Sequence, residues 1–191
     1  MDLARLTFEA VRMAEAMGIV EPGPARVDTA AIRDLASRIR RAGIGMSADA
    51  ALARIETPSN EQLTEILTML VAALEASPVP KYEWKAVGRI FPPEELGSLL
   101  DVSASSLKRY QSGERDTPDL VAARLYLIAL VAGDLAGSYN DTGVRRWFER
   151  PRSVFGGRSA RQSLTRRWTS QDEAARRILS AAESLQQLGA T

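Results

Sequence analysis

PEELGSLLDVSASSLKRYQSG, residues 93–113, reads as two short helices joined by a tight turn. Leu96, Gly97 and Leu100 give the first helix one apolar face, with the glycine where the second helix must come close. Asp101-Val102-Ser103 makes the turn. Glycine is commoner at the Asp101 position, but aspartate tolerates the left-handed backbone better than most residues. Ser103 is a good N-cap, its hydroxyl able to accept from an orphan backbone N–H. Leu107 and Tyr110 anchor the second helix from inside, and Ser105, Ser106, Lys108, Arg109 and Gln111 are left facing outward. A buried scaffold with donors and acceptors on the opposite stripe is the helix-turn-helix arrangement, whose second helix lies in a DNA major groove. These five residues and Ser103 are the candidate DNA-binding set. The competing reading is a helix pair of any small bundle, with a serine cap and a solvated basic face. The acids Glu94, Glu95, Asp101 and Glu114 keep open a further reading, a pure interaction adaptor with a vestigial helix-turn-helix, because they weaken attraction to phosphate.

The rest of the chain has helical spacing, and no alternating run is long enough for a strand, so an all-α helical bundle is expected. Leu3, Leu6, Ala10, Met13 and Met17 share a face of a first helix, stopped by Gly18 and by Pro22-Gly23-Pro24. A second helix is expected over 29–41, a weaker one over 48–55, and a fourth from the Thr57-Pro58-Ser59-Asn60 start to about Ala76. Ser77-Pro78-Val79-Pro80 reads as a linker. A short helix over 82–87 precedes the helix-turn-helix, and a long helix follows Thr117-Pro118-Asp119. It is apolar nearly all round, which suits the centre of a bundle or a dimer core. Shorter helices are expected over 144–149, about 159–168 and about 171–188. The expected division is a helical domain of unassigned role over 1–78, a helix-turn-helix region with its core helix over 79–136, and a C-terminal region over 137–191.

The 191 residues contain neither cysteine nor histidine. Disulfides, thiolate metal sites, the commonest general base and the usual catalytic triads are therefore excluded. No paired catalytic arrangement and no Gly-rich phosphate cradle followed by lysine is visible, so no enzyme, cofactor or metal is expected. The start MDLARLTFEA lacks the pattern of a secretory signal. The most apolar run, 125–133, is far short of the roughly 20 residues that span a bilayer. A soluble, cytoplasmic protein without a membrane partner is expected. The net charge of +1 is uneven: residues 145–168 hold eight arginines against the single Glu149.

That basic segment overlaps a second distinctive block, VRRWFERPRSVFGGRSARQSL at 144–164. Arg145, Arg146, Arg150 and Arg152 surround Trp147 and Phe148, Pro151 stops the helix, and Gly156-Gly157 allows a sharp turn that presents Arg158. Aromatic and arginine side chains are enriched in interface hot spots. On physical grounds a partner interface, an extension of a nucleic-acid face and a solvated surface over a core tryptophan remain equally open.

The order of the two blocks resembles the Xre/MbcA/ParS antitoxins over about residues 90–190. Their C-terminal region carries a W-x-x-x-P…GG-R pattern, matched here by Trp147, Pro151, Gly156, Gly157 and Arg158, with Leu164 at the following hydrophobic position. The resemblance implies a type II antitoxin that blocks a RES-domain toxin, one that consumes NAD or ADP-ribosylates with it. It also implies repression of its own operon as a homodimer on double-stranded operator DNA. The partner-binding residues it implies, together with the arginines beside them, are Arg145, Arg146, Trp147, Arg150, Pro151, Gly156, Gly157 and Arg158. Residues 1–80 and the additional Arg161, Arg166 and Arg167 depart from the family pattern. A stand-alone helix-turn-helix regulator, with an N-terminal oligomerising or sensing module, is the alternative.

Overall fold

The structure, a computed structural model, describes residues 3–136 and 138–189, with side chains as far as residue 185. Among these residues there are eleven α-helices, one 3-10 turn and no strand, so the protein is all-α. They form two compact units, residues 1–79 and residues 80–191, divided within the Ser77–Pro80 linker.

The first unit contains α1 (Leu3–Ala16), α2 (Thr29–Arg41), α3 (Met46–Ala53) and α4 (Asn60–Ala76). Its helices start where capping chemistry dictates. The Asp28 carboxylate accepts from Ala31 N at 2.8 Å, and Ser59 and Gln62 form a reciprocal capping box. α1 and α3 both pack on α4, burying Leu6, Ala10, Leu52, Leu67, Leu70 and Leu74. Arg33 of α2 donates to the carbonyls of Leu52, Ile55 and Glu56, at and just beyond the end of α3, where helix carbonyls lack the usual intrahelical partners. On α1 the interior stripe includes Thr7 and Ala14, while Leu3 and Met13 are only half-buried. The Thr7 hydroxyl tolerates this position because it donates to Leu3 O at 2.8 Å.

The second unit contains α5 (Pro80–Ile90), α6 (Pro93–Leu100), α7 (Ala104–Ser112), α8 (Asp119–Ala136) and α9 (Asp141–Glu149). A 3-10 turn (Ser153–Phe155), α10 (Ala160–Ser163) and α11 (Glu173–Gly189) follow. α8 runs through the centre, with α5, α6, α9 and α11 packed round it. Val121, Leu125, Ile128, Val131 and Leu135 are buried along it, so its all-round apolar surface serves its own unit's core. The expected separate region 137–191 is accordingly not a unit of its own, because α9 and α11 pack on α8. Gly137, Ala190, Thr191 and the side chains of residues 186–189, at the edges of that region and in its tail, lie outside the described residues.

Two expectations about elements need correction. α5 extends beyond the expected 82–87 in both directions, with Pro80 at its first position, where a missing N–H costs nothing. The helix expected over 159–168 ends at Ser163 instead. After it the chain turns through Arg167, whose φ is 63°, and brings Trp168 inward.

Candidate functional site

α6 and α7 have the geometry of a helix-turn-helix. Asp101 is left-handed (φ 54°, ψ 48°), and the residue after it closes the turn, Val102 N donating to Gly97 O at 2.9 Å. A Cβ on Gly97 would stand 3.1 Å from Val102 O, tighter than most real contacts, so the turn's carbonyl would have to give way and glycine suits the close approach. Ser103 caps α7, its hydroxyl accepting from Ser106 N at 3.2 Å, and left-handed Gly113 ends the helix. Leu107 and Tyr110 are buried beneath α7. Trp84 of α5 stacks on Tyr110 with ring centroids 6.3 Å apart, and its indole N–H donates to Thr117 Oγ1 at 2.9 Å. The pitch of α7 is thus set from below by two aromatic rings.

Of the residues expected to face DNA, Ser103, Ser105, Lys108, Arg109 and Gln111 are exposed and Ser106 is half-buried. The three serines form one hydroxyl cluster, Ser103 Oγ lying 3.1 Å from Ser105 Oγ and 3.0 Å from Ser106 Oγ. Ser103 therefore has a structural duty as well as an exposed oxygen. Gln111 lies beside α5, where its Nε2 would be 3.6 Å from a Cβ on Gly88. Lys108 and Arg109 pair with no carboxylate among the described residues, so both charges are available to a ligand.

The turn is fastened to a distant part of the chain. Arg167 N donates to Asp101 Oδ2 at 3.0 Å, and Trp168 Nε1 donates to Leu99 O at 2.8 Å. Arg124, buried in α8, joins both sides: its Nη1 donates to Leu100 O at 2.8 Å and its Nε to Trp168 O at 2.6 Å. Its guanidinium also lies 5.4 Å from the Trp168 ring centroid and 4.0 Å from Asp101 Oδ2. Burial lowers the Arg124 pKa and the Asp101 and Asp172 carboxylates oppose that shift; an arginine stays charged regardless. The Asp172 pKa is lowered by the hydrogen bonds it accepts from the N–H and hydroxyl of Thr169, a clasp at the start of α11. Asp101, which looks in sequence like an acid that would repel phosphate, is thus committed to the turn and faces arginines. Arg124 was not singled out in the sequence, since a lone arginine beside an apolar run reads as the edge of that run.

The block after α9 builds a small closed loop. Arg152 N donates to Arg158 O at 2.9 Å and Gly157 N returns to Arg152 O at 3.0 Å, joining the loop at its base. Gly156 and Gly157 are both left-handed, with φ of 64° and 79°. Trp147 meets Phe148 and Phe155 edge to face, at 5.4 and 5.9 Å between centroids, with the Arg152 guanidinium 4.9 Å from its own. Trp147 is 1% exposed, so it shapes the loop from inside and presents no ring to a partner. The residues that do reach the surface are Arg146, Arg150, Pro151, Gly156, Gly157 and Arg158, together with Val154, at 51% exposure, which the sequence did not single out. Arg145 is half-buried and donates to Thr142 Oγ1 at 3.2 Å, while Arg158 donates to Gln162 O. Arg161 pairs with Glu149, removing the segment's one acid from competition.

Among the described residues no group of three or more carboxylate, imidazole or thiol side chains could hold a metal ion, and no single helix is long and apolar enough to cross a membrane. No family model, no curated protein and no solved structure matches the chain.

Proposed function

We propose that this protein is an antitoxin and autorepressor: α7 reads operator DNA, and the loop at 152–158 with the exposed arginines of α9 seats a RES-domain toxin. The observation that carries the DNA half is the turn itself, a left-handed Asp101 followed by the Ser103 cap, with Gly97 allowing close approach and Lys108 and Arg109 unpaired. Phosphate contacts would set register and the outward side chains of α7 would meet base edges. A single such helix covers a short site, so a homodimer on a two-fold operator follows. The toxin half rests on the resemblance, and the exposed Val154 between arginines is the kind of apolar anchor with a charged rim that partner sites use.

Two measurements test the halves separately. Expression with a RES-domain protein encoded beside this chain should rescue growth and yield a co-purifying complex. Rescue and co-purification should both fail for a variant carrying Val154→Asp and Arg158→Glu. A chain that neither rescues nor co-purifies is instead the stand-alone regulator. On DNA from upstream of its own reading frame, Lys108→Ala and Arg109→Ala should each weaken binding by about 1–3 kcal/mol. Unchanged footprints in both variants would remove α7 from the interface.

A further inference from the structure

We propose that Arg166 and Arg167 form a second DNA contact, gripping the phosphate backbone beside the groove that α7 enters. The inference rests on the reading of α7 as a DNA-reading helix, and adds residues far from it in sequence.

Position is the first argument. The Arg167 N–H is bonded to the Asp101 carboxylate and the Trp168 indole to Leu99 O, which pins residues 166–167 on the turn between α6 and α7. Asp101 is two residues from Ser103, the cap of α7, a span of at most about 7 Å. Groups at that place stand next to the start of a recognition helix, where contacts to flanking phosphates fix its register. The guanidinium fork suits phosphate oxygens better than any other side chain.

Availability is the second. The Arg166 side chain is 94% exposed, and its Nε is 3.9 Å from Asp101 Oδ1, a loose pair that water screens and a phosphate can replace. Arg167 is exposed as well. Its backbone is left-handed, a conformation that glycine or asparagine adopts with less strain. The turn needs only the Arg167 N–H and the Trp168 ring, so neither guanidinium is required to hold residues 164–172, the strap between α10 and α11, in place.

Preorganisation is the third. The strap is braced by buried Arg124, 3% exposed, through the carbonyls of Leu100 and Trp168. The backbone that carries the two arginines is therefore already ordered before any ligand arrives.

The separation of side chain from backbone duty supplies the test. Arg167→Gly keeps the N–H and suits the positive φ, while Arg166→Ala removes only an exposed pair. Binding of the intact chain is measured against salt concentration, using a mixed-sequence duplex and a duplex from upstream of its own reading frame. The double variant should weaken binding to both duplexes alike and flatten the plot of log affinity against log salt by about two. Its thermal midpoint should not fall, and Arg166→Lys with Arg167→Lys should restore most of the slope. If the slope stays unchanged while Lys108→Ala still weakens binding, this proposal fails and the role of α7 survives. If the intact chain binds neither duplex, both fail. A fall in thermal midpoint for the double variant would make the two arginines structural and also overturn the proposal.

Discussion

Arg124 shows what a single buried charge can organise. A guanidinium taken out of water needs partners for its donors; here Nη1 and Nε meet main-chain carbonyls, Leu100 O at 2.8 Å and Trp168 O at 2.6 Å, while Nη2 is buried without a hydrogen-bond partner. Those carbonyls belong to the end of α6 and to the strap before α11, so one side chain fastens both to α8. Replacing it with methionine preserves bulk but leaves two carbonyls without their donor. Arg124→Met should lower unfolding free energy by about 2–6 kcal/mol, at roughly 1–3 kcal/mol for each abandoned group, read by urea denaturation. A midpoint equal to that of the unaltered chain would mean that water replaces the guanidinium at no cost. The sequence could not announce this role, because the partners lie 24 and 44 positions away. Trp147 carries the opposite lesson. A tryptophan among arginines has the composition of a hot spot, yet the same composition arises when arginine stems cover a core ring, and its 1% exposure places it in that class.

Helices whose ends are set by their own residues were the legible ones. α2 begins after Asp28 and α4 after Ser59 because each cap is bonded within three positions, and such bonds can be read locally. α10 was overextended because the bonds that draw the chain away from helix after Ser163 span 66 and 69 positions. The same distinction separates two glycines in neighbouring helices. Alanine is the better helix former by about 1 kcal/mol at either site, so propensity alone predicts a gain for both substitutions. At Gly88 of α5 the added Cβ would make an ordinary contact at 3.6 Å with the movable Gln111 amide. At Gly97 of α6 it would meet Val102 O at 3.1 Å, and a backbone carbonyl that forms the turn cannot easily retreat. Gly88→Ala should therefore raise the thermal midpoint by a degree or more, from a gain of about 0.5–1 kcal/mol reduced by its place near the helix end. Gly97→Ala should lower it, by about 1 kcal/mol or more of lost stability. Equal gains in a paired melting experiment would show that α6 and α7 are not held at the close approach described.

Charge is divided between the two units. Residues 1–79 hold eight basic against eleven acidic side chains, while residues 80–191 hold seventeen against thirteen, so the candidate DNA surface belongs to the positive unit. That unit also has a core of its own, a single cluster from Trp84 to Ala182 that draws no residue from the first unit. Chain composition reveals the charge division at once, and the Pro-rich linker reveals the boundary. The union of 80–136 with 137–191 was hidden, because it depends on how α9 and α11 pack on α8. A fragment comprising residues 80–191 should therefore fold alone, with a cooperative urea transition and the helical signature of the intact protein. Freed of a segment whose net charge is −3, it should bind a mixed-sequence duplex at low salt at least as tightly as the full chain, because non-specific affinity follows the phosphate-neutralising charge. Competition binding of the two forms on one labelled duplex measures the difference directly. A folded fragment with markedly weaker binding would show that residues 1–79 contribute to DNA affinity, most simply by pairing two copies so that two α7 helices engage one site, and would give the first unit the oligomerising role.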